Sequence, residues 1–290
     1  MIVVQIVNGL MEGAMLFLIA SGLTLIFGVS RIVNFAHGSL YMLGAFIAHS
    51  LIQQFPPAAS LPLFFAEILV AALLVALIGG LIEIVILRRI YAADELHQLI
   101  ITIGVVLIVR DLVRLIWGVN DLSTPMPEAL SGALRAFGMF FPAYQVTVMA
   151  IGIGVFLGLV ALLRFTRFGI LTRAATDDRG MVALLGINQK QIFTGVVTLG
   201  SFLAGLAGAL FTPYGNINHL LDTTIIVGAF IVVVIGGMGN LYGTVAAAVA
   251  VGVIKALGLL YVPRLSMVLI FLIMAAVLVA RSMGRKAANE

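Results

Sequence analysis

Long apolar segments separated by short polar breaks run along the whole chain. The predicted membrane segments cover residues 3–28, 36–52, 61–87, 98–117, 142–163, 191–212, 223–237, 241–261 and 265–280. A helix needs about 20 residues to cross a bilayer, and most of these segments approach that length. No alternating strand pattern competes with them, and helices satisfy every backbone hydrogen bond within lipid. The predicted fold class is therefore an all-α polytopic membrane protein, a single domain over residues 1–290 with about 8–10 transmembrane helices.

Two of the polar breaks are rich in glycine, at residues 28–39 and 236–243. The first is either a tight cytoplasmic turn or a broken, re-entrant helix, and the short segment 36–52 favours the broken helix. Each break opens a similar sequence, Gly38-Ser-Leu-Tyr-Met-Leu-Gly-Ala and Gly239-Asn-Leu-Tyr-Gly-Thr-Val-Ala, although an apolar chain also produces such matches by chance. Paired breaks in the two halves of a transporter point to its translocation path. The predicted lining residues are Asn34, His37, Ser39 and Asn240.

His37 has a second interpretation, as a side chain that satisfies backbone groups in a turn. A polar stripe of Gln5, Asn8 and Glu12 on the first helix faces either the bundle interior or the outer interface. Lys255 either snorkels to the interface or pairs with an acidic residue of a neighbouring helix.

Composition supports the membrane assignment. The chain of 290 residues is 62% hydrophobic and 10% charged, whereas soluble domains carry roughly 25% charged residues. It contains no cysteine, which excludes disulfides and thiolate metal ligands, and its four histidines are scattered. We therefore predict no metal site. The net charge of +4 does not indicate a nucleic-acid partner, because the basic residues collect at segment ends and in one loop.

That loop, residues 164–190, is the longest charged stretch, and its positive residues place it in the cytoplasm. Within it, residues 172–188 read as one short helix that Asp177 and Asp178 favour and Gly186 ends. A cytoplasmic loop here places residues 118–141 outside and returns the basic C-terminal tail to the inside. Arg110 and Arg114 are the exception, and we predict that they anchor the outer interface with Trp117, one of them neutralised by Asp111.

Small residues predict where helices touch. Gly200, Gly205 and Gly208 give one segment a face on which a neighbouring helix can approach closely. No phosphate-binding loop or catalytic motif occurs, so we predict no catalytic residue. Ionisable groups at mid-membrane positions are few, and this favours an energy source outside the chain that acts through the cytoplasmic loop.

Three stretches together resemble the LivH/LivM family of permease subunits of ATP-binding cassette (ABC) importers. They are Asn34-Phe-Ala-His-Gly, Arg173-Ala-Ala-Thr-Asp-Asp…Ala183-Leu-Leu-Gly-Ile-Asn, and Gly236-Gly-Met-Gly-Asn-Leu-Tyr-Gly-Thr. They occur in the family's order across the chain, and the length resembles the H-type subunit. The loop departs from the ABC-permease pattern Glu-Ala-Ala-x3-Gly, because Arg173 replaces the glutamate and Gly180 comes one place late.

The resemblance implies that the loop docks on an ATPase subunit as a coupling helix. The implied coupling residues are Arg173, Ala174, Ala175, Asp177, Asp178, Arg179, Leu185 and Gly186. It also implies a second LivM-like permease or a second copy, two ATP-binding subunits that hold ATP and magnesium, and a periplasmic binding protein, all at the bacterial inner membrane. The implied cargo is a branched-chain or other hydrophobic amino acid. Urea, short amides or aromatic acids as cargo, and a stand-alone channel or ion-coupled carrier, stay open as alternatives.

Overall fold

The computed structural model describes residues 2–55, 60–91, 93–136, 139–263, 271–272, 274–276 and 279. The elements in chain order are α1 (Ile2–Ser30), α2 (Ala36–Gln54), α3 (Leu61–Ile82), a π-helical turn (Glu83–Leu87), α4 (Arg88–Ile90), α5 (Glu95–Trp117), α6 (Glu128–Ser131), β1 (Ala133–Ala136), β2 (Met139–Pro142), α7 (Ala143–Phe165), α8 (Arg167–Asp177), α9 (Arg179–Leu184), α10 (Gln189–Phe211), α11 (Leu221–Gly236) and α12 (Leu241–Tyr261).

The predicted all-α fold is confirmed, and the first eight predicted segments are helices. In the described part of the chain, five helices are long and apolar enough to cross a membrane, namely α1, α3 with its extension to Ile90, α7, α10 and α12. A sixth apolar helix, α11, is shorter at 16 residues. The segment 265–280 lies largely outside the described residues, and the tail 281–290 lies wholly outside them, so the predicted total of membrane segments stays a prediction.

The loop after α5 holds more structure than predicted. Its short helix α6 leads into an antiparallel hairpin in which Ala133 pairs with Pro142. Leu122 forms an isolated antiparallel bridge with Ile217 of the α10–α11 connection. Thr124 shares a hydrogen bond of 2.9 Å with His49 near the end of α2. These contacts bring two connections and the C-terminal part of α2 to one end of the bundle, as the predicted orientation requires.

Helix α1 lies at the centre of the bundle and packs closely against α10 and α12. A Cβ on Gly22 would lie 2.6 Å from the Gly200 carbonyl oxygen, and a Cβ on Gly9 would lie 2.6 Å from the Val253 Cα. Only glycine allows backbones to approach this closely. Thr24 and Thr244 add a buried hydrogen bond of 2.9 Å between α1 and α12.

Helix α10 repeats this arrangement on its other faces. A Cβ on Gly44 of α2 would overlap the Gly205 carbonyl oxygen, and a Cβ on Gly208 would overlap the Tyr41 carbonyl oxygen. Since lipid tails are as apolar as leucine, helix association in a membrane depends on such packing rather than on the hydrophobic effect. The predicted close helix contacts at Gly200, Gly205 and Gly208 are confirmed, but the three positions face α1, α3 and α2 rather than one neighbouring helix.

Replacing Gly208 by alanine tests whether backbone contact holds α10 to α2. The added methyl group would force the two helices apart, and overpacking of this kind typically costs about 1–3 kcal/mol. We expect Gly208→Ala to lower the Tm of the purified protein in detergent. Gly104→Ala is the matched control, because nothing lies within 4 Å of its Cβ position and alanine stabilises a helix interior by up to about 1 kcal/mol. Equal Tm values for the two variants would contradict the packing argument.

Candidate functional site

The charged loop forms an arm, residues 164–190, that protrudes from the bundle as two helices. Thr166 caps α8 by accepting a hydrogen bond from the Gly169 N–H at 3.1 Å. Asp178 adopts an extended conformation after α8 and accepts a hydrogen bond from the Met181 N–H at 3.0 Å, which starts α9. The prediction of one helix was wrong here, because the aspartate side chain satisfies N–H groups at a helix start rather than within a helix.

The end of α9 agrees with the prediction. Gly186 has φ +72°, and the Ile187 N–H donates to the Val182 carbonyl oxygen at 3.3 Å. This 6→1 hydrogen bond around a left-handed glycine is the Schellman motif that ends many helices. Asn188 then caps α10 through a 3.1 Å hydrogen bond from the Lys190 N–H.

The predicted coupling residues lie along the two arm helices and the turn that follows, but they do not share one environment. Ala175 is fully buried, whereas Arg173, Ala174, Asp177, Asp178, Leu185 and Gly186 are exposed. Arg179 opens α9, and its side chain lies outside the description. Leu184 is 85% exposed and Leu185 69% exposed. An exposed pair of leucines at the tip of a charged arm is suited to a protein partner.

The base of the arm contacts both helix breaks at one junction. A Cβ on Gly28 of α1 would lie 3.0 Å from the Gly239 Cα and 3.7 Å from the Thr176 Cγ2 of α8. Gly239 has φ +80°, and a Cβ on it would lie 3.3 Å from the Gly28 Cα and 3.7 Å from the Thr176 Cγ2. A small cavity of about 170 Å³ lies beside the junction and is also lined by Thr172 and Arg173. Thr176 of α8 therefore lies beside both the end of α1 and the α11–α12 turn.

The first break carries the chain back into the bundle. Arg31 is exposed and has φ +53°, after which Ile32 and Asn34 are buried in non-helical backbone. The Asn34 Oδ1 accepts a hydrogen bond from the Ala36 N–H at 3.1 Å and so starts α2. The buried His37 then donates from Nε2 to the Ile19 carbonyl oxygen at 3.0 Å.

Ile19 precedes the end of α1 at Ser30 by eleven residues, which corresponds to about 16 Å of helix. Helix α2 therefore begins inside the bundle, and the structure favours the broken helix over the simple turn. The second break is a glycine turn in which Asn240 caps α12 by accepting from the Gly243 N–H at 3.1 Å.

The structure brings together three of the four predicted path residues. Asn34, His37 and Ser39 are buried around the start of α2, whereas Asn240 is exposed at the other break. The His37 contact with Ile19 fits the interpretation of a side chain that satisfies a backbone group. The lining role of all four residues stays a prediction.

Ser39 leads to a buried ion pair that the sequence did not indicate. Its hydroxyl donates to the Asp222 carboxylate at 3.3 Å, and Arg110 Nη2 donates to both Asp222 oxygens at 2.9 and 3.1 Å. The Asp222 side chain is 3% exposed. Arg110, which we predicted to anchor the outer interface, is neutralised by Asp222 of α11, 112 positions away. Asp111 pairs with Arg114 at 3.5 Å on the surface, which confirms that it neutralises one of the two arginines.

Two further polar contacts join distant helices. Glu83, buried in the π-helical turn, accepts hydrogen bonds from Arg88 at 3.1 Å and from Thr194 of α10 at 2.7 Å. Lys255 of α12 pairs with Glu12 of α1. The pairing alternative for Lys255 is thereby confirmed. Gln5 donates to the Ala256 carbonyl oxygen at 2.8 Å, so the polar stripe of α1 faces α12.

These features define a polytopic helical membrane protein whose exposed arm is held against two helix breaks. The chain belongs to the family described as branched-chain amino acid transport system / permease component, which matches residues 5–278. This membership bears out the resemblance that the three sequence stretches carried.

The curated relatives align over most of their own length as well. The high-affinity branched-chain amino acid transport system permease protein BraD of Pseudomonas aeruginosa is 31% identical over 261 residues, 88% of this chain and 85% of BraD. The corresponding LivH proteins of Salmonella typhimurium and Escherichia coli K12 are each 29% identical, over 89% of this chain and 86% of the relative. No solved structure matches the chain significantly.

Charge removal at Arg110 tests whether the Asp222 pair holds α5 to α11. Arg110→Gln leaves a buried carboxylate without its counter-charge, which typically costs about 3–5 kcal/mol. Arg114→Gln breaks a pair whose side chains are 41% and 75% exposed, and exposed pairs contribute about 0–1 kcal/mol. Thermal unfolding in detergent should show a large loss of Tm for the first variant only. A similar loss for both would contradict the assignment.

Proposed function

We propose that this chain is the permease subunit of an ABC importer that carries branched-chain or other hydrophobic amino acids across the bacterial inner membrane. The chief support is the family match over residues 5–278, joined to an exposed arm fixed against two helix breaks. The subunit performs no chemistry of its own. Separate ATPase subunits bind ATP and magnesium, hydrolyse the nucleotide and supply the energy.

The partners follow from the same proposal. A second permease, LivM-like or a second copy of this chain, completes the path. Two ATP-binding subunits lie beneath the pair, and a periplasmic binding protein delivers the amino acid to the outer face. The basic residues of the arm orient it toward the cytoplasm, because positive loops are retained on that side.

Transmission begins at the arm, which fits a cleft in an ATPase subunit through its exposed leucines and charged side chains. When the ATPases close, α8 and α9 move with them. The contact of Thr176 with Gly28 and Gly239 passes this displacement to α1 and to the α11–α12 turn. Because α1 is in backbone contact with α10 and α12, the helices move as a packed unit rather than bending separately.

Substitutions at the arm tip test its docking. Leu185→Asp places a charge in the proposed interface, and Arg173→Ala or Asp177→Ala removes a polar contact from it. All three should reduce uptake about tenfold or more, since interface anchors typically contribute about 2 kcal/mol or more. Stability should change little, because these side chains are exposed and such substitutions stay within about 0.5 kcal/mol.

Val119→Asp is the matched control, because Val119 is 64% exposed at the opposite end of the bundle. Uptake by transporter reconstituted with its partners, and co-purification of the ATPase, are the two measurements. Undiminished uptake after deletion of residues 173–187 would disprove the coupling role of the arm.

Gly239→Ala tests transmission separately from docking. Gly118→Ala is its control, because Gly118 has φ +83° with nothing within 4 Å of its Cβ position, whereas Gly239 has φ +80° against Gly28. Gly118 has ψ −167°, so alanine is strained there as well, and a residue in a sparsely populated backbone region costs about 1–3 kcal/mol. We expect the Gly239 variant to keep its ATPase partner and its ATP hydrolysis but to lose most uptake. Equal uptake by the two variants would show that the junction transmits nothing.

A further inference from the structure

A cavity of about 210 Å³ opens between α1, α11 and α12 in the outer half of the bundle. Its depth follows from helix geometry. Glu12 lies eighteen residues before the end of α1, and Lys255 fourteen residues after the start of α12, which corresponds to about 27 Å and 21 Å from their cytoplasmic ends. We call this space the outer cavity; its lining includes Met15, Leu16, Tyr41, Tyr214, Ile225 and Ile231.

The outer cavity is apolar along its walls and charged at one place. Glu12 and Lys255 both line it, and their side chains are 30% and 44% exposed. Ionisable groups on membrane helices are costly and mark substrate pathways when they face a cavity. Burial, with the nearby Glu12 carboxylate, raises the pKa of Tyr214, so that its hydroxyl stays a neutral hydrogen-bond donor.

The charged groups of the Glu12–Lys255 pair have fewer hydrogen-bond partners and more exposed surface than those of the Arg110–Asp222 pair. Asp222 is 3% exposed and accepts hydrogen bonds from Arg110, Ser39 and the Thr223 N–H. Glu12 and Lys255 keep exposed surface that opens into a cavity. A carboxylate and an ammonium side by side present the charges that complement a zwitterion, with an apolar wall below them.

We propose that the outer cavity binds a zwitterionic amino acid with a branched aliphatic side chain. The ligand ammonium contacts the Glu12 carboxylate, the ligand carboxylate contacts the Lys255 ammonium, and the side chain lies on the wall formed by Leu16, Ile225 and Ile231. The cavity of about 210 Å³ has the volume of about seven waters at roughly 30 Å³ each, which is the scale of a single small amino acid. The assignment rests on the proposed function and adds to it a binding site within this subunit.

Protection of an engineered cysteine tests the site directly, since the chain has no cysteine of its own. Thr224→Cys places a thiol on the cavity wall, and Val262→Cys places one at the exposed residue after α12. Each variant is assembled with its partner subunits in proteoliposomes and modified with a small maleimide. Saturating leucine should slow modification at position 224 about tenfold and leave position 262 unchanged.

Two leucine analogues that each lack one charge test whether binding requires both the ammonium and the carboxylate of the ligand. 4-Methylpentanoate has no ammonium and 3-methylbutylamine has no carboxylate, so each forfeits a charge-assisted hydrogen bond, and its protection should fall about tenfold below that of leucine. Glu12→Gln and Lys255→Gln should abolish protection by leucine, whereas Lys255→Arg should retain it. Arg114→Gln, which breaks the exposed pair, should behave as the unsubstituted chain.

The double variant Glu12→Gln with Lys255→Gln separates recognition from a structural role. If the pair served only to hold α1 to α12, removing both charges would restore protection by leucine, and the proposal would be wrong. Equal protection by leucine and both analogues would also overturn it, because the cavity would then bind apolar solutes alone. If the assembly takes up leucine but leucine does not protect position 224, the proposed binding site is wrong and the proposed function still holds. Absence of ATP-dependent uptake by the unsubstituted assembly would reject the proposed function itself.

Discussion

The rest of this structure depends on direct backbone contact between α1 and its neighbours α10 and α12. Gly22 meets Gly200 and Gly9 meets the backbone at Val253, so no side chain separates the helices at these points. Within lipid, apolar side chains gain nothing by leaving one apolar environment for another. Close packing and hydrogen bonds must therefore supply the cohesion, and glycine gives the closest packing.

Polar pairs between helices fix several of them at particular depths. Asp222 holds Arg110 of α5, Glu83 holds Thr194 of α10, and Glu12 holds Lys255 of α12. Each pair joins helices that are far apart in the sequence, since the residues differ by 112, 111 and 243 positions. A charge in a membrane helix is expensive without a partner, so each pair resists sliding or rotation of its helices. Packing holds the bundle together, and the polar pairs set its register.

The arm shows the opposite pattern, because it leaves apolar side chains exposed in a charged setting. Leu184 and Leu185 are largely exposed, while Ala175 and Thr172 are buried at the base of α8. The arm is therefore anchored at one end and open at the other. This asymmetry suits an element that receives force from another protein and passes it to a rigid bundle.

The sequence by itself determined the fold class and the positions of eight helices. It also predicted at which end of the bundle each connection lies. Hydrophobic runs, glycine breaks and basic clusters are local or additive features, and they need no knowledge of contacts. The family resemblance likewise rested on three local stretches. The sequence did not predict the break at Asp178. An aspartate is compatible both with the first turn of a helix and with the position just before a helix, and only the structure shows that Asp178 ends α8 and caps α9.

Only the tertiary structure decided which charges pair. Arg110 has Asp111 beside it in the sequence, yet the pair forms with Asp222, because Asp111 points to the surface and Asp222 is buried where Arg110 can reach it. It also showed that α2 starts beside Ile19, inside the bundle, and that Gly28, Gly239 and Thr176 meet at one junction. Such contacts depend on how helices distant along the chain are placed in space, and a pattern of hydrophobic and polar positions carries no information about that placement.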